Sequence, residues 1–248
     1  MAKGQIPWNK QYVTSTCRIC GKVFPVSPSY LKRGRYKCCS LKCMREYQAK
    51  FRRFVYPNLE PSPQLSYTIG VLIGDGCLNK YRGKYNLILN VVDGEFALSF
   101  KRALQDLGLH PRLNLGTPKE GERKHFRITA MSKTFGEWFR ALSNEKVFSI
   151  ATSYPLDFLR GFYESEGTAS QHRVCFSNTE KWKLDLTNQL IESLGFQASL
   201  YTSLRLAPAK TAYELNLLGG KGKQLEFLSL VNPCIKRGRH EDSLSHRL

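Results

Sequence analysis

The chain has 248 residues, with 38 Lys/Arg against 20 Asp/Glu and a formal net charge of +18. Such a length buries a full core in one large or two modest domains, and such a charge implies a polyanionic partner, most often nucleic acid. No apolar run approaches the roughly 18 residues of a membrane span, and the first ten residues have no signal-peptide apolar segment, so the expectation is an intracellular, reducing compartment: cytoplasm, nucleoid or organelle matrix.

Residues 1–56 hold thirteen Lys/Arg and one acid, Glu46. Five of the eight cysteines fall between Cys17 and Cys43, too uneven for a disulfide framework and suited to a metal. Cys17-Arg-Ile-Cys20-Gly21 is a tight turn that lets two thiolates grip one Zn²⁺, and Cys39 and Cys43 complete a tetrahedron from one face of a helix starting near Ser40. Cys38 is an alternative to Cys39. Four cysteine ligands leave no open position, so the zinc is expected to be structural. So short a segment also has too small a core to fold without it. The spacing, with the pair in CSLKC, resembles treble-clef or zinc-ribbon modules attached to mobile-intron endonucleases, and Ile6–Lys10 (IPWNK) resembles a short DNA-contacting element found beside them. Lys32, Arg33 and Arg35 are the module's candidate DNA contacts.

Pro57, Pro61 and Pro63 mark a semi-rigid Pro-rich linker over residues 57–63. A helix then runs from a Ser62-Pro63 start through Gln64 to Gly76 and ends on Gly74-Asp75-Gly76. A carboxylate at a helix C-terminus opposes the peptide dipoles, so a positive group is expected there.

The stretch occurs twice. Ser153-Tyr154-Pro155 opens a second helix that ends on Ser165-Glu166-Gly167, and the two acids lie 91 residues apart. Small residues sit four apart in each copy, Gly70/Gly74 and Gly161/Ser165, a smooth stripe for close approach of a partner helix. Each copy continues with two alternating strands, an amphipathic helix, two more strands and a closing helix. The predicted order is αββαββα twice, over residues 64–150 and 151–248, an α+β fold behind the zinc module.

Gly70-Val-Leu-Ile-Gly-Asp-Gly76 and Gly161-Phe-Tyr-Glu-Ser-Glu-Gly167 resemble the two motifs of a single-chain LAGLIDADG homing endonuclease, and the resemblance spans residues 62 to about 238. It implies a pseudo-twofold fold with saddle-shaped antiparallel sheets, the motif helices side by side, and Asp75 and Glu166 together at the bottom of their interface. Two adjacent carboxylates at helix C-termini are unfavourable until a divalent cation joins them, and Mg²⁺ takes one or two carboxylates plus phosphate and water. Gly74 and Ser165 complete the implied Mg²⁺ site. The family also places a lysine near each scissile phosphate, for which Lys133 fits the first copy and Lys221 or Lys223 the second. The basic Lys236–Arg239 resembles the family's usual ending.

The implied activity is metal-dependent, site-specific double-strand cleavage of a long DNA target, leaving short 3′ overhangs, by a monomer with an internal pseudo-dimer. Readers of the major groove would alternate along the strands. The candidates are Lys80, Arg82, Lys84, Asn86, Asn90, Arg112, Asn114, Lys124 and Arg127 in the first sheet, and Gln171, Arg173, Ser177, Tyr201, Ser203 and Arg205 in the second. The competing reading is an inactive or dual-function relative, an intron maturase or DNA-binding regulator, with intron RNA as a second partner. A ribosome-associated zinc protein would explain the charge and the cysteines but not the duplicated acid-tipped helix.

Overall fold

The computed structural model describes residues 12–33, 36–51, 56–81, 83–116, 125–170, 173–203 and 211–235. Arg35, Arg82, Lys124, Gln171, Arg205, residues 6–10 and residues 236–239 lie outside these. The chain divides into two compact units, Met1–Val55 and Tyr56–Leu248.

In the first unit, β1 (Val13–Thr16) and β2 (Val23–Val26) form an antiparallel hairpin. Its turn is closed by Gly21 N–H donating to Cys17 O (3.0 Å) and Cys17 N–H donating to Lys22 O (2.9 Å). Gly21 adopts φ +72°, a left-handed conformation that glycine takes without steric cost. A short helix, α1 (Pro28–Lys32), precedes α2 (Leu41–Phe51). Ser40 stands at the start of α2, its Oγ accepting from Cys43 N–H at 3.2 Å, which puts Cys43 in the first turn.

The second unit opens with residues 56–62, expected to be a linker. Pro57 is buried, Asn58 N–H donates to Leu107 O (3.0 Å), and Leu59 packs on the core, so this stretch is folded onto the unit. Then come α3 (Pro63–Ile73), β3 (Cys77–Tyr81), β4 (Lys84–Val91), α4 (Gly94–Asp106), β5 (Arg112–Leu115), β6 (Phe126–Met131) and α5 (Lys133–Arg140). The second copy is α7 (Pro155–Glu166), β7 (Gly167–Ala169), β8 (Val174–Asn178), α8 (Lys181–Ser193), β9 (Ala198–Ser203), β10 (Ala212–Leu217) and α9 (Gly220–Val231). Between the copies lies α6 (Asn144–Ser153), capped by Ser143, which the repeat pattern does not foretell. The expected boundary at 150/151 falls inside this helix, and Ser153, expected to help open α7, is its last residue.

Both sheets have the same order, β3-β4-β6-β5 and β7-β8-β10-β9. Their duplication is therefore one of topology as well as sequence. Each sheet turns one face to the helices. In β4 Tyr85, Leu87 and Leu89 are buried, and in β10 Leu215 and Leu217. Phe162 stacks on Phe176 of β8, with ring centroids 5.9 Å apart, and Phe176 meets Phe227 of α9 edge-on at 6.4 Å, which ties a motif helix through the sheet to the closing helix.

At the centre α3 packs on α7. Ser62 caps α3 by accepting from Leu65 N–H at 3.2 Å, and Pro63 occupies its first turn, where a missing N–H costs nothing. A Cβ on Gly70 would fall 2.5 Å from Phe158 O, and one on Gly161 2.3 Å from Tyr67 O. The small-residue stripe is thus a contact of backbone on backbone.

Candidate active site and metal centre

The motif ends meet where these helices finish. A Cβ on Gly74 would lie 2.4 Å from Ser165 Cβ and 3.2 Å from Glu166 Cγ, so the residue before Asp75 rests against the last turn of α7. Asp75 follows in the turn after α3 and is exposed, whereas Glu166 is half-buried. The Ser165 hydroxyl is buried, donating to Gly161 O at 3.1 Å and lying 3.4 Å from Val71 O. Its proton therefore serves the helix contact.

Asn178 was not among the expected site residues. It ends β8, donates through Nδ2 to Glu166 Oε1 at 2.8 Å, and accepts from Glu180 N–H at 2.9 Å, the second contact fixing which way the amide points. Gly167 pairs with Phe176, and Asn178 lies two residues beyond. In the first copy Cys77 pairs with Ile88; Leu89 therefore faces Gly76, and two residues beyond it is Val91. One acid thus has a neutral amide at a position where the other copy has an apolar side chain. The available signal was a polar residue at a core-facing strand phase, visible only once the strand register is known.

A cation that the sequence reading did not foresee, Lys183, also stands at the end of α3. Its ammonium donates to Ile73 O at 2.7 Å and pairs with Glu180 at 2.7 Å. The lysines expected from the sequence have other partners. Lys133 forms an exposed ion pair with Glu137 at 3.7 Å, and Lys223 pairs with Glu226 at 2.8 Å. Lys221 is exposed in the first turn of α9.

Glu164, in the last turn of α7, has a fully buried side chain. It accepts from Tyr67 Oη of the other copy (2.5 Å), Arg160 Nε (3.2 Å) and Cys234 N–H (2.8 Å). Burial, then the neighbouring Glu164 charge, pushes the Tyr67 phenol well above its usual range. Of the cysteines outside the first unit, Cys175 is buried, Cys234 half-buried and Cys77 exposed.

Register settles the strand faces. Asn79, Tyr81, Lys84, Asn86 and Asn90 share the face away from the helices with Arg112, Asn114 and Arg127. Lys80 is the correction: it pairs with Tyr85 on the helix-side face, its ammonium 5.1 Å from that ring's centroid. The reason is the strand period of two, under which a one-residue phase error moves a side chain to the opposite face. In the second sheet Ser177 and Tyr201 flank Glu214 on the outer face, and Arg173 pairs with Glu214 at 3.6 Å. Ser203 lies in β9 opposite Ala212.

In the first unit, the sulfurs of Cys17, Cys20, Cys39 and Cys43 all lie within 4.8 Å of one another. Cys20 and Cys39 are 3.4 Å apart, Cys39 and Cys43 3.9 Å. A tetrahedron with Zn–S bonds near 2.3 Å separates its sulfurs by about 3.8 Å, so the four-sulfur donor set fits that ion. The Cys20 backbone N–H leads in lowering the Cys17 thiol to about 6. Cys39 belongs to this four-sulfur set, and Cys38 is a buried thiol beside it, raised first by desolvation and then by the neighbouring Cys17. Lys32 and Arg33 are exposed at the end of α1.

Residues 153–231, the span from the end of α6 to the end of α9, match the family model of the LAGLIDADG-like domain. The fold is a LAGLIDADG fold. The homing endonuclease I-DmoI, solved in complex with DNA and Mn, superposes with a TM-score of 0.53 at 17% identity, covering 68% of this chain and 96% of that one. Full-length DUF199/WhiA from Thermatoga maritima gives 0.51 at 16% identity, covering 73% of this chain and 59% of that one. Two uncharacterized proteins of Methanocaldococcus jannaschii are similar in sequence. MJ0398 is 31% identical over 153 residues, 61% of this chain and 56% of the relative. MJ0314 is 30% identical over 155 residues, 58% and 59% respectively. The chain thus spans little more than half the length of these relatives.

Proposed function

We propose that this LAGLIDADG protein is a site-specific double-strand DNA endonuclease, with Asp75 and Glu166 holding Mg²⁺ or a similar divalent cation. The observation that carries the reading is the contact of Gly74 with Ser165 and Glu166, which sets the acid-bearing ends of two duplicated helices against each other. The oxygen-only donor set, carboxylates plus the Gly74 and Ser165 carbonyls, suits a hard cation. Held by these groups, such a cation would supply activation of water and stabilisation of the leaving 3′-oxygen of the phosphodiester.

The chain's own residues supply placement. Asn178 holds Glu166 in orientation, and the backbone contact at Gly70 and Gly161 keeps the two acids at a set separation. The outer face of the first sheet brings Lys84, Arg112 and Arg127 to the phosphates and Asn86, Asn90 and Asn114 to base edges. Two acids related by a pseudo-dyad suit two scissile phosphates, one on each strand, and short 3′ overhangs would follow. The N-terminal module, folded around zinc, adds a basic surface in the same chain. Lys133, Lys221 and Lys223 are retained as candidates for phosphate contact.

The test is cleavage of a randomised plasmid library with Mg²⁺, comparing the wild-type chain with Asp75→Asn and Glu166→Gln. Site-specific double-strand breaks lost in both variants, with duplex binding kept, support the reading and yield the target. Tight, salt-sensitive duplex binding by a wild type that never cuts overturns it in favour of a DNA-binding regulator or maturase, for which intron RNA is the next ligand to try.

A further inference from the structure

The last four carbonyls of an α-helix lack intrahelical donors and need partners from elsewhere. At the end of α3 Val71 O accepts from Gly76 N–H at 3.1 Å, and Ile73 O accepts from the Lys183 ammonium at 2.7 Å. Lys183 belongs to the other repeat, 110 residues along the chain. Its side chain is only 11% exposed, and lysine is rarely buried unless paired. Here the pairing is with Ile73 O and Glu180, and the ammonium lies 6.0 Å from the Trp182 ring centroid.

The fold does not demand a cation at this position. Lys183 is the third residue of α8, and the third residue of α4 in the first copy is Phe96, a fully buried phenyl ring. The sister copy packs the same place with hydrocarbon. What Lys183 adds is a donor and a charge at the negative end of the motif helix, two residues before Asp75.

We propose that Lys183 is a positioning residue for the Asp75 half of the site. It fixes the peptide between Ile73 and Gly74, from which the Gly74 carbonyl and the Asp75 carboxylate emerge, and it offsets the helix end that would otherwise repel that carboxylate. Glu166 is held by the neutral Asn178 amide instead. The two half-sites are therefore set by different chemistry, one by a cation reaching across from the second repeat, the other by an amide of its own repeat. The inference rests on the endonuclease reading for its consequence: one strand's cleavage depends on Lys183 and the other's does not.

The experiment compares wild type, Lys183→Met and Lys183→Arg by two readouts. The first is amide hydrogen exchange in metal-free protein at Gly76, bonded to Val71 O, and Gly167, bonded to Tyr163 O. The expected result is exchange at Gly76 faster by roughly tenfold in Lys183→Met, with Gly167 unchanged and Lys183→Arg restoring protection. The second is Mg²⁺-dependent cutting of an end-labelled duplex carrying a site recovered from the plasmid library. Loss of a positioning group typically costs about 10–100-fold, and here it should fall on one strand, so that nicked product accumulates. Equal loosening of both turns, equal slowing of both strands, or a Lys183→Met variant matching wild type would overturn the proposal. If Lys183→Met does not fold, Lys183→Leu, which likewise lacks donor and charge, is read the same way. If the wild type cuts neither strand, the endonuclease reading fails and the exchange result alone decides the placement of Lys183.

Discussion

Tyr67 of α3 and Glu164 of α7 stand 97 residues apart in sequence and meet in a 2.5 Å hydrogen bond within the helix interface. The carboxylate is completed by Arg160 from its own helix and by the Cys234 N–H from the segment after α9. A buried charge is tolerated when its lone pairs are met by donors. This one ties both repeats and the C-terminal segment to a single group.

Tyr67→Phe removes one of those donors and leaves the ring in place. Hydrogen bonds to charged groups contribute about 1.5–3 kcal/mol, so urea unfolding at neutral pH should show a loss in that range without a change in slope. A loss below about 0.5 kcal/mol would mean that the carboxylate finds another donor.

The same phenol predicts an alkaline limit. Burial and the Glu164 charge raise the Tyr67 pKa in the folded protein, and burial pushes Tyr163 up to about 12. A raised folded pKa gives stability that is complete below the unfolded value, near 10, and is lost as pH rises beyond it. Thermal melts should fall from about pH 10 upward, and the fall should be shallower in Tyr67→Phe and Tyr163→Phe than in wild type.

Glycine substitutions separate the interface from ordinary helix positions. Gly161→Ala pushes a methyl into Tyr67 O, forcing α3 and α7 apart at a cost of roughly 1–3 kcal/mol or more. Gly222 in α9 has nothing within 4 Å of a Cβ, so Gly222→Ala should stabilise by up to about 1 kcal/mol through helix propensity. Melting temperatures moving in opposite directions would bear this out.

Metal removal should act on one unit. A strong chelator, or Cys17→Ser with Cys43→Ser, is expected to unfold residues 1–55, because the four thiols converge there and two four-residue strands make little core. The α3–α7 unit has its own large apolar core and should keep its melting transition. Circular dichroism and zinc release in the same titration would check both halves.

Face assignment gives a contrast between neighbours in sequence. Lys84→Ala and Arg127→Ala, on the outer face, should each lower the salt slope of duplex binding by about 1. Lys80→Ala, on the helix-side face over Tyr85, should leave the slope nearly unchanged. A Lys80 effect as large as that of Lys84 would argue that the DNA reaches round the sheet edge.

Much of this protein could be read from the chain alone, for a reason visible in particular residues. The motifs around Asp75 and Glu166 repeat with the same small-residue spacing, and each is followed by strands with period two and helices with period 3.6. Those patterns are local properties of side-chain size and polarity, so the duplicated αββαββα order and the four-cysteine spacing follow without knowledge of contacts. The tertiary structure decided what depends on long-range register and convergence. It separated Lys80 from Lys84 by strand phase, brought the sulfur of Cys39 rather than Cys38 within 4.8 Å of the other three, and turned Glu164 inward. It also brought Asn178 to Glu166 and Lys183 under Ile73. A buried polar group is stable only through partners that the fold delivers, and those partners lie up to 110 residues away, beyond the reach of any local pattern.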